Sequence, residues 1–155
     1  MSTIAPIPPG YHTVTPYLVV NDCKAALDFY RRAFNAEEIV RMPTPDGKIM
    51  HAEIRIGDSM LMLSDEAPDW GALSPKHYGG SPMHVMLYLP DADATYAQAL
   101  AAGATSVRPM ENQFWGDRMG RVADPYGHQW SLGTHIEEVS PEEMDRRFKD
   151  MMQGG

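Results

Sequence analysis

Trp115-Gly116-Asp117-Arg118-Met119-Gly120-Arg121-Val122-Ala123-Asp124-Pro125-Tyr126-Gly127-His128-Gln129-Trp130-Ser131-Leu132 decides how this chain folds. Its centre, Asp124-Pro125-Tyr126-Gly127, is turn chemistry. Pro125 presets φ at the second turn position, Asp124 offers its own backbone a side-chain acceptor, and Gly127 tolerates φ > 0. The flanks alternate, with Trp130 and Leu132 on one face and Gln129 and Ser131 on the other, so both are expected as strands. The stretch predicts a hairpin late in the chain that carries two Trp and two Arg and turns a polar face to a ligand.

Outward from this hairpin, strands and helices follow in a repeating order. Residues 13–20 alternate and are rich in β-formers. Asn21-Asp22 can cap a helix over Cys23–Phe34, in which Ala26, Leu27, Tyr30 and Phe34 form an apolar stripe and Asn35 supplies the C-cap. Residues 36–42, 49–56 and 59–64 are expected strands. In the second of these Met50, Ala52, Ile54 and Ile56 face one way and His51, Glu53 and Arg55 the other. Residues 67–82 read as a linker. The order then restarts with a strand over 83–89, in which Val85, Leu87 and Leu89 oppose His84, Met86 and Tyr88. An Ala-rich helix over 91–102 closed by Gly103, a strand over 105–110 and the hairpin complete the second set. Ser140-Pro141-Glu142-Glu143 combines an N-cap, Pro and first-turn acids, and predicts an exposed helix to about Met152.

Two βαβββ units thus repeat at an offset of about 68–70 residues, with Asn35-Ala36 matching Gly103-Ala104 and Gly57 matching Gly127. The expected fold is α+β. Its two βαβββ modules (13–66 and 83–137) form half-barrels around a cleft, with a helical tail over 138–155. The cleft is the default ligand site.

The repeat, with Ala26-Leu27-Asp28-Phe29-Tyr30 and Asp124-Pro125-Tyr126-Gly127, resembles the vicinal oxygen chelate superfamily: the glyoxalase, bleomycin-resistance and ring-cleaving dioxygenase group. Pro16-Tyr17-Leu18, His51-Ala52-Glu53, Leu63-Ser64-Asp65-Glu66 and Phe114-Trp115-Gly116-Asp117-Arg118 resemble its PhnB-like branch. The resemblance implies a glyoxalase-like fold, a small-molecule ligand and a homodimer. It leaves the reaction open, since the fold serves isomerases, dioxygenases, thiol transferases and non-catalytic binders. Superfamily enzymes place metal ligands on the first, fourth, fifth and eighth strands, which here match Thr15, Met62, His84 and Ser131. Of these His84 alone is a good ligand, and a catalytic divalent metal needs about three N, O or S side chains. The standard site is therefore expected to be lost, and no cofactor is expected. The alternative is a displaced divalent metal held by His51, Glu53 and His84, the first two pointing the same way at i and i+2. The plainer alternative is a polar cluster in which Glu53 pairs with His51 or Arg55.

Candidate catalytic residues are His84, as a general base, and Glu53. Candidate ligand-binding residues are Tyr17, His51, Met62, Met86, Tyr88, Trp115, Arg118, Gln129 and Ser131, with Met60 beside them in the cleft. Arg118 and Trp115 can clamp a planar or anionic group; the alternative has Asp117 paired with Arg118 while Trp115 packs. His128 is expected to be exposed and Cys23 structural.

With 155 residues and 43 % hydrophobic content the chain can bury a core. A net charge of -8 and a pI near 5.1 disfavour nucleic acid, which needs clustered Lys and Arg. Twelve Met suit an adaptable apolar wall. No apolar run approaches the roughly 20 residues that span a bilayer, and the Pro-rich start lacks a signal peptide's pattern, so a cytoplasmic setting is expected. The function expected is small-molecule binding without the standard metal site, for a cationic or amphipathic ligand. The alternative is a metal-dependent lyase, isomerase or dioxygenase.

Overall fold

The computed structural model describes residues 3–154. They divide into two compact units, one running to Pro82 and including Pro125–His128, the other formed by Met83–Asp124 and the residues from Gln129 on.

In the first unit, Pro16 has no amide hydrogen to give a ladder, and the Thr15 hydroxyl donates to the His12 carbonyl at 3.1 Å. The first strand therefore starts later than its β-rich pattern: β1 is Tyr17–Val20. Helix α1 spans Cys23–Phe34, as its stripe and caps require. Asp22 accepts from the Ala25 N–H at 3.1 Å, and Asn35 ends the helix in the left-handed region at φ 56. Strands β2 (Glu37–Pro43), β3 (Ile49–Ile56) and β4 (Ser59–Asp65) follow, giving an open sheet in the order β1-β4-β3-β2 with β1 parallel to β4. Ala26, Phe29, Tyr30 and Phe34 of α1 are buried, as are Leu18, Val20, Ile54 and Leu63 of the sheet. Each buried Leu, Ile or Val contributes about 1.5–3 kcal/mol of hydrophobic stabilisation.

One side chain departs from its expected face, and a second lies deeper than expected. Met50 is 60 % exposed while Ile49 is buried, because the β2–β3 register slips between Met42↔His51 and Pro43↔Ile49. That bulge rotates Met50 off the face it would share with Ala52. Met60, expected beside the ligand-binding residues, is buried at 6 % exposure and lines neither the cavity walled by Tyr17 and His51 nor the pocket beside His84.

The 67–82 segment carries a 3₁₀ turn at Pro68–Trp70 and a short helix, α2, at Pro75–Tyr78. The 125–128 turn completes the first unit. Tyr126 is buried with its ring 6.1 Å from Phe29 and 6.3 Å from Tyr30. His128, expected in solvent, is instead half-buried and places Nε2 2.8 Å from the Val19 carbonyl.

The second unit repeats the plan: β5 (His84–Tyr88), α3 (Ala92–Ala102), β6 (Thr105–Asn112), β7 (Asp117–Ala123) and β8 (Gln129–His135), in the order β5-β8-β7-β6 with β5 parallel to β8. Met86 pairs with Ser131 as Tyr17 pairs with Met62. Trp130, Leu132 and Val122 are fully buried, and the Trp130 indole donates to Asp124 at 2.9 Å. Helix α4 (Pro141–Gln153) buries no residue, and Arg147 ties it to Glu137 and to the Phe114 carbonyl. Among the described residues no helix is long and apolar enough to cross a membrane.

Candidate functional site

The first unit holds a cavity of about 910 Å³ on the sheet, walled by Tyr17 and Val19 of β1, Met42 of β2, Met50 and His51 of β3, and Trp70 of the 3₁₀ turn. That volume lies within the range of small-molecule sites. Trp70 is 85 % exposed, so the wall keeps a large apolar surface facing water. Asp46, Asp65, Glu66 and Lys48 line it as well. Each acid is held by the fold. Asp65 accepts from the backbone N–H groups of Cys23 (2.8 Å) and Ile49 (2.7 Å). Hydrogen bonds from Ser74 hold the Glu66 carboxyl below its usual pKa, and hydrogen bonds from Thr44 and the Lys48 N–H do the same for Asp46.

Tyr17, Met62 and Glu53 occupy one cross-strand row, and His51 lies two residues from Glu53 on the same face. His51 bridges the row. Its Nε2 lies 3.2 Å from Glu53 and its Nδ1 lies 2.9 Å from the Tyr17 phenol oxygen. A carboxylate only accepts, so Nε2 carries the hydrogen and Nδ1 accepts from the phenol. Of the alternatives for Glu53, pairing with His51 is the one formed; Arg55 turns to Glu37.

The second unit holds a smaller pocket of about 250 Å³, lined by His84 of β5, Arg108 and Glu111 of β6, Trp115, and Met119 and Arg121 of β7. His84 donates from Nδ1 to the Ser131 hydroxyl oxygen at 2.7 Å, while Arg121 donates to Ser131 at 3.1 Å and to His84 Nε2 at 3.3 Å. Accepting at Nε2 keeps the ring neutral. Burial, and then the Arg121 charge, lower its pKa.

Asp117 is 2 % exposed and accepts from Tyr88 (2.8 Å), Trp115 (2.9 Å) and His135 (2.8 Å). Burial alone would raise its pKa, but these three donors outweigh it and leave the carboxyl below its ordinary value. Arg118 lies outside both hollows and makes a two-pronged pair with Asp93 at 2.7 and 2.9 Å, plus a bond to Asn112. Neither the Arg118–Trp115 clamp nor the Asp117–Arg118 pair is formed. The guanidiniums lining the pocket beside Trp115 belong to Arg108 and Arg121, which sequence reasoning passed over. Strand parity is the signal for Arg121, since 117, 119 and 121 share a face that lies opposite Ser131. Met86 pairs with Ser131 and Gln129 with His84, both half-buried, and Tyr88 keeps an exposed ring.

The positions that match superfamily metal ligands do not fit a divalent cation. Thr15 gives its hydroxyl to a backbone carbonyl, Met62 is a thioether, and Ser131 is occupied by two donors. The Arg121 guanidinium sits on the His84 nitrogen that a metal would need. His51 and Glu53 are joined in the first unit and His84 belongs to the second, and among the described residues no group of three His, Cys, Asp or Glu side chains is placed to hold a metal.

Residues 11–132 match the family model described as the Glyoxalase/Bleomycin resistance protein/Dioxygenase superfamily. The chain is 44 % identical over 144 residues to Mb0911c of Mycobacterium bovis, covering 91 % of this chain and 95 % of that one. The crystal structure of TioX from Micromonospora sp. ML1 superposes with a TM-score of 0.64 at 26 % identity, covering 81 % of this chain and 99 % of TioX. The Arabidopsis thaliana At5g48480 product superposes with a TM-score of 0.62 at 27 % identity, over 78 % and 97 % of the two chains. Sequence family and duplicated sheet agree, and this chain belongs to the glyoxalase/bleomycin resistance protein/dioxygenase superfamily.

Proposed function

We propose that this chain is a small-molecule binding protein of the PhnB-like branch that works without the superfamily's standard metal site, as a cytoplasmic homodimer. Its ligand is cationic or amphipathic with an apolar, ring-bearing body. The observation that carries this reading is the first-unit cavity of about 910 Å³, whose aromatic and thioether wall carries carboxylates at its edge. Tyr and Trp faces attract cations, and methionines re-pack around irregular apolar shapes. The Tyr17 hydroxyl, oriented by His51, adds one fixed polar contact. The chain's net charge of -8 favours the same ligand sign.

Thermal-shift titration with bleomycin and with a planar acridine cation tests the reading. A ligand at about 100 times its Kd raises stability by about 2.7 kcal/mol. Trp70→Ala and Tyr17→Ala weaken that shift, and a flat response to every cation and amphiphile removes the proposal. Stoichiometric Zn, Ni, Mn or Fe in protein purified without chelator, lost in His84→Ala, would replace it with a metal-dependent lyase, isomerase or dioxygenase.

A further inference from the structure

Arg108 and Arg121 stand directly opposite each other in the β6–β7 ladder. Like charges in that relation repel and cost stability. Among the described residues the Arg121 guanidinium bonds the neutral groups of Ser131 and His84 alone, and the Arg108 guanidinium has no hydrogen-bond or ion-pair partner. Neither charge is ion-paired among the described residues.

The backbone is built to produce this face. Arg108 pairs with Arg121 and Glu111 with Met119, which leaves Pro109 and Met110 facing Gly120 alone. In a regular strand residues three apart point to opposite faces. The extra residue of this bulge brings Arg108 and Glu111 round to the face of Arg121 and Met119. Gly120 is the condition for it, because a Cβ there would lie 2.9 Å from the Arg108 carbonyl oxygen and 2.8 Å from the Met110 sulfur. Arg121 is held by His84 and Ser131, and Trp115 is fixed through its indole to buried Asp117.

We propose that this pocket is a second binding site, for a small planar carboxylate of one ring, whose carboxylate spans Arg108 and Arg121 and whose ring lies against Trp115. Guanidinium forks match carboxylate geometry, and their planes stack on aromatic acids. The volume of about 250 Å³ suits one ring rather than several. Glu111 on the same face reduces the surplus to one positive charge, which favours a monoanion over a phosphate ester. This site uses residues other than those of the first-unit cavity and takes the opposite ligand sign, so the two readings fail separately.

The test is titration of the full chain with benzoate and with benzamide, its neutral isostere, followed by calorimetry and by the Trp115 indole N–H in NMR spectra. Benzoate binds about tenfold or more tightly than benzamide and shifts the Trp115 signal. Arg108→Gln, at an exposed position where folding is not at risk, brings benzoate down to the benzamide level. The same variant leaves the acridine shift at the first-unit cavity unchanged. Glu111→Gln tightens benzoate. The proposal is overturned if benzoate shows no binding at millimolar concentration, if it binds no better than benzamide, or if Arg108→Gln binds it like wild type.

Discussion

The phenol of Tyr17 and the imidazole of His51 meet at 2.9 Å although their strands, β1 and β3, are separated by β4. The bond fixes one tautomer of His51, with Glu53 on the other nitrogen. Tyr17→Phe keeps the ring and removes the oxygen. We expect a stability loss of about 0.5–1.5 kcal/mol, since one partly exposed hydrogen bond is at stake. The nitrogen-15 chemical shift of His51 Nδ1 should move as it loses its donor while Nε2 keeps its hydrogen on Glu53, and the thermal shift given by a cavity ligand should fall.

The Asp117–His135 link sets a pH window. Hydrogen bonds to Asp117 and then to Glu138 raise the His135 pKa above its ordinary 6.5, while the Asp117 pKa is lowered from 3.8. A raised histidine stabilises the fold fully below about pH 6.5 and loses that contribution as pH climbs through its folded pKa. A lowered carboxyl stabilises above about pH 4 and loses its contribution as pH falls through its folded pKa. The melting-temperature gap between wild type and His135→Gln is therefore expected to be widest between about pH 4 and 6.5 and to close toward alkaline pH.

Cys23 is fully buried at the start of α1, and burial, aided by the Asp65 charge, pushes its thiol up to about 12. The thiolate is the reactive form. Native protein at pH 8 should give no reaction with a disulfide reagent, and full reaction of the single thiol should appear in denaturant. Fast native labelling would show that α1 opens.

Gly116 has φ +101, and its carbonyl accepts from the Ile136 and Glu137 N–H groups at 2.9 and 3.1 Å. A Cβ there would fall far inside contact distance of the Glu137 carbonyl oxygen and 3.1 Å from Val139. Gly116→Ala should lower stability by about 1–3 kcal/mol from the backbone conformation alone, with the clash added to it. Urea unfolding gives the loss, and Trp115 fluorescence reports whether its bond to Asp117 survives.

Helix α1 was legible end to end because its stripe and both caps are local, and the β7–β8 hairpin was legible because its turn residues and alternation are local too. What escaped depends on pairing. Met50 left its face through a bulge that the β2–β3 register creates. Arg118 found Asp93, 25 positions earlier on α3, instead of its neighbour Asp117. Trp70 lies in a stretch whose composition shows no period, so nothing there marked it as a cavity wall. The burial of Asp117 is not legible because alternation assigns a face but not a depth, and the three donors that hold it come from Tyr88, Trp115 and His135. The Arg108–Arg121 confrontation was invisible because it is set by the β6–β7 register, which slips on both sides of Arg108, and Glu111 joins that face only through the second slip.

Tyr126, packed on Phe29 and Tyr30, reaches its place nearly a hundred residues after them. Chains emerge from the ribosome N-terminus first, and domains tend to fold as they appear. Here the first unit must wait for a late tetrapeptide, Pro125–His128, before its aromatic cluster is covered. A nascent chain stalled after Pro82 should therefore be protease-sensitive around α1 and become protected only when synthesis has passed His128. The two halves share one plan, yet in synthesis the earlier one is completed only after the β7–β8 turn of the later one has emerged.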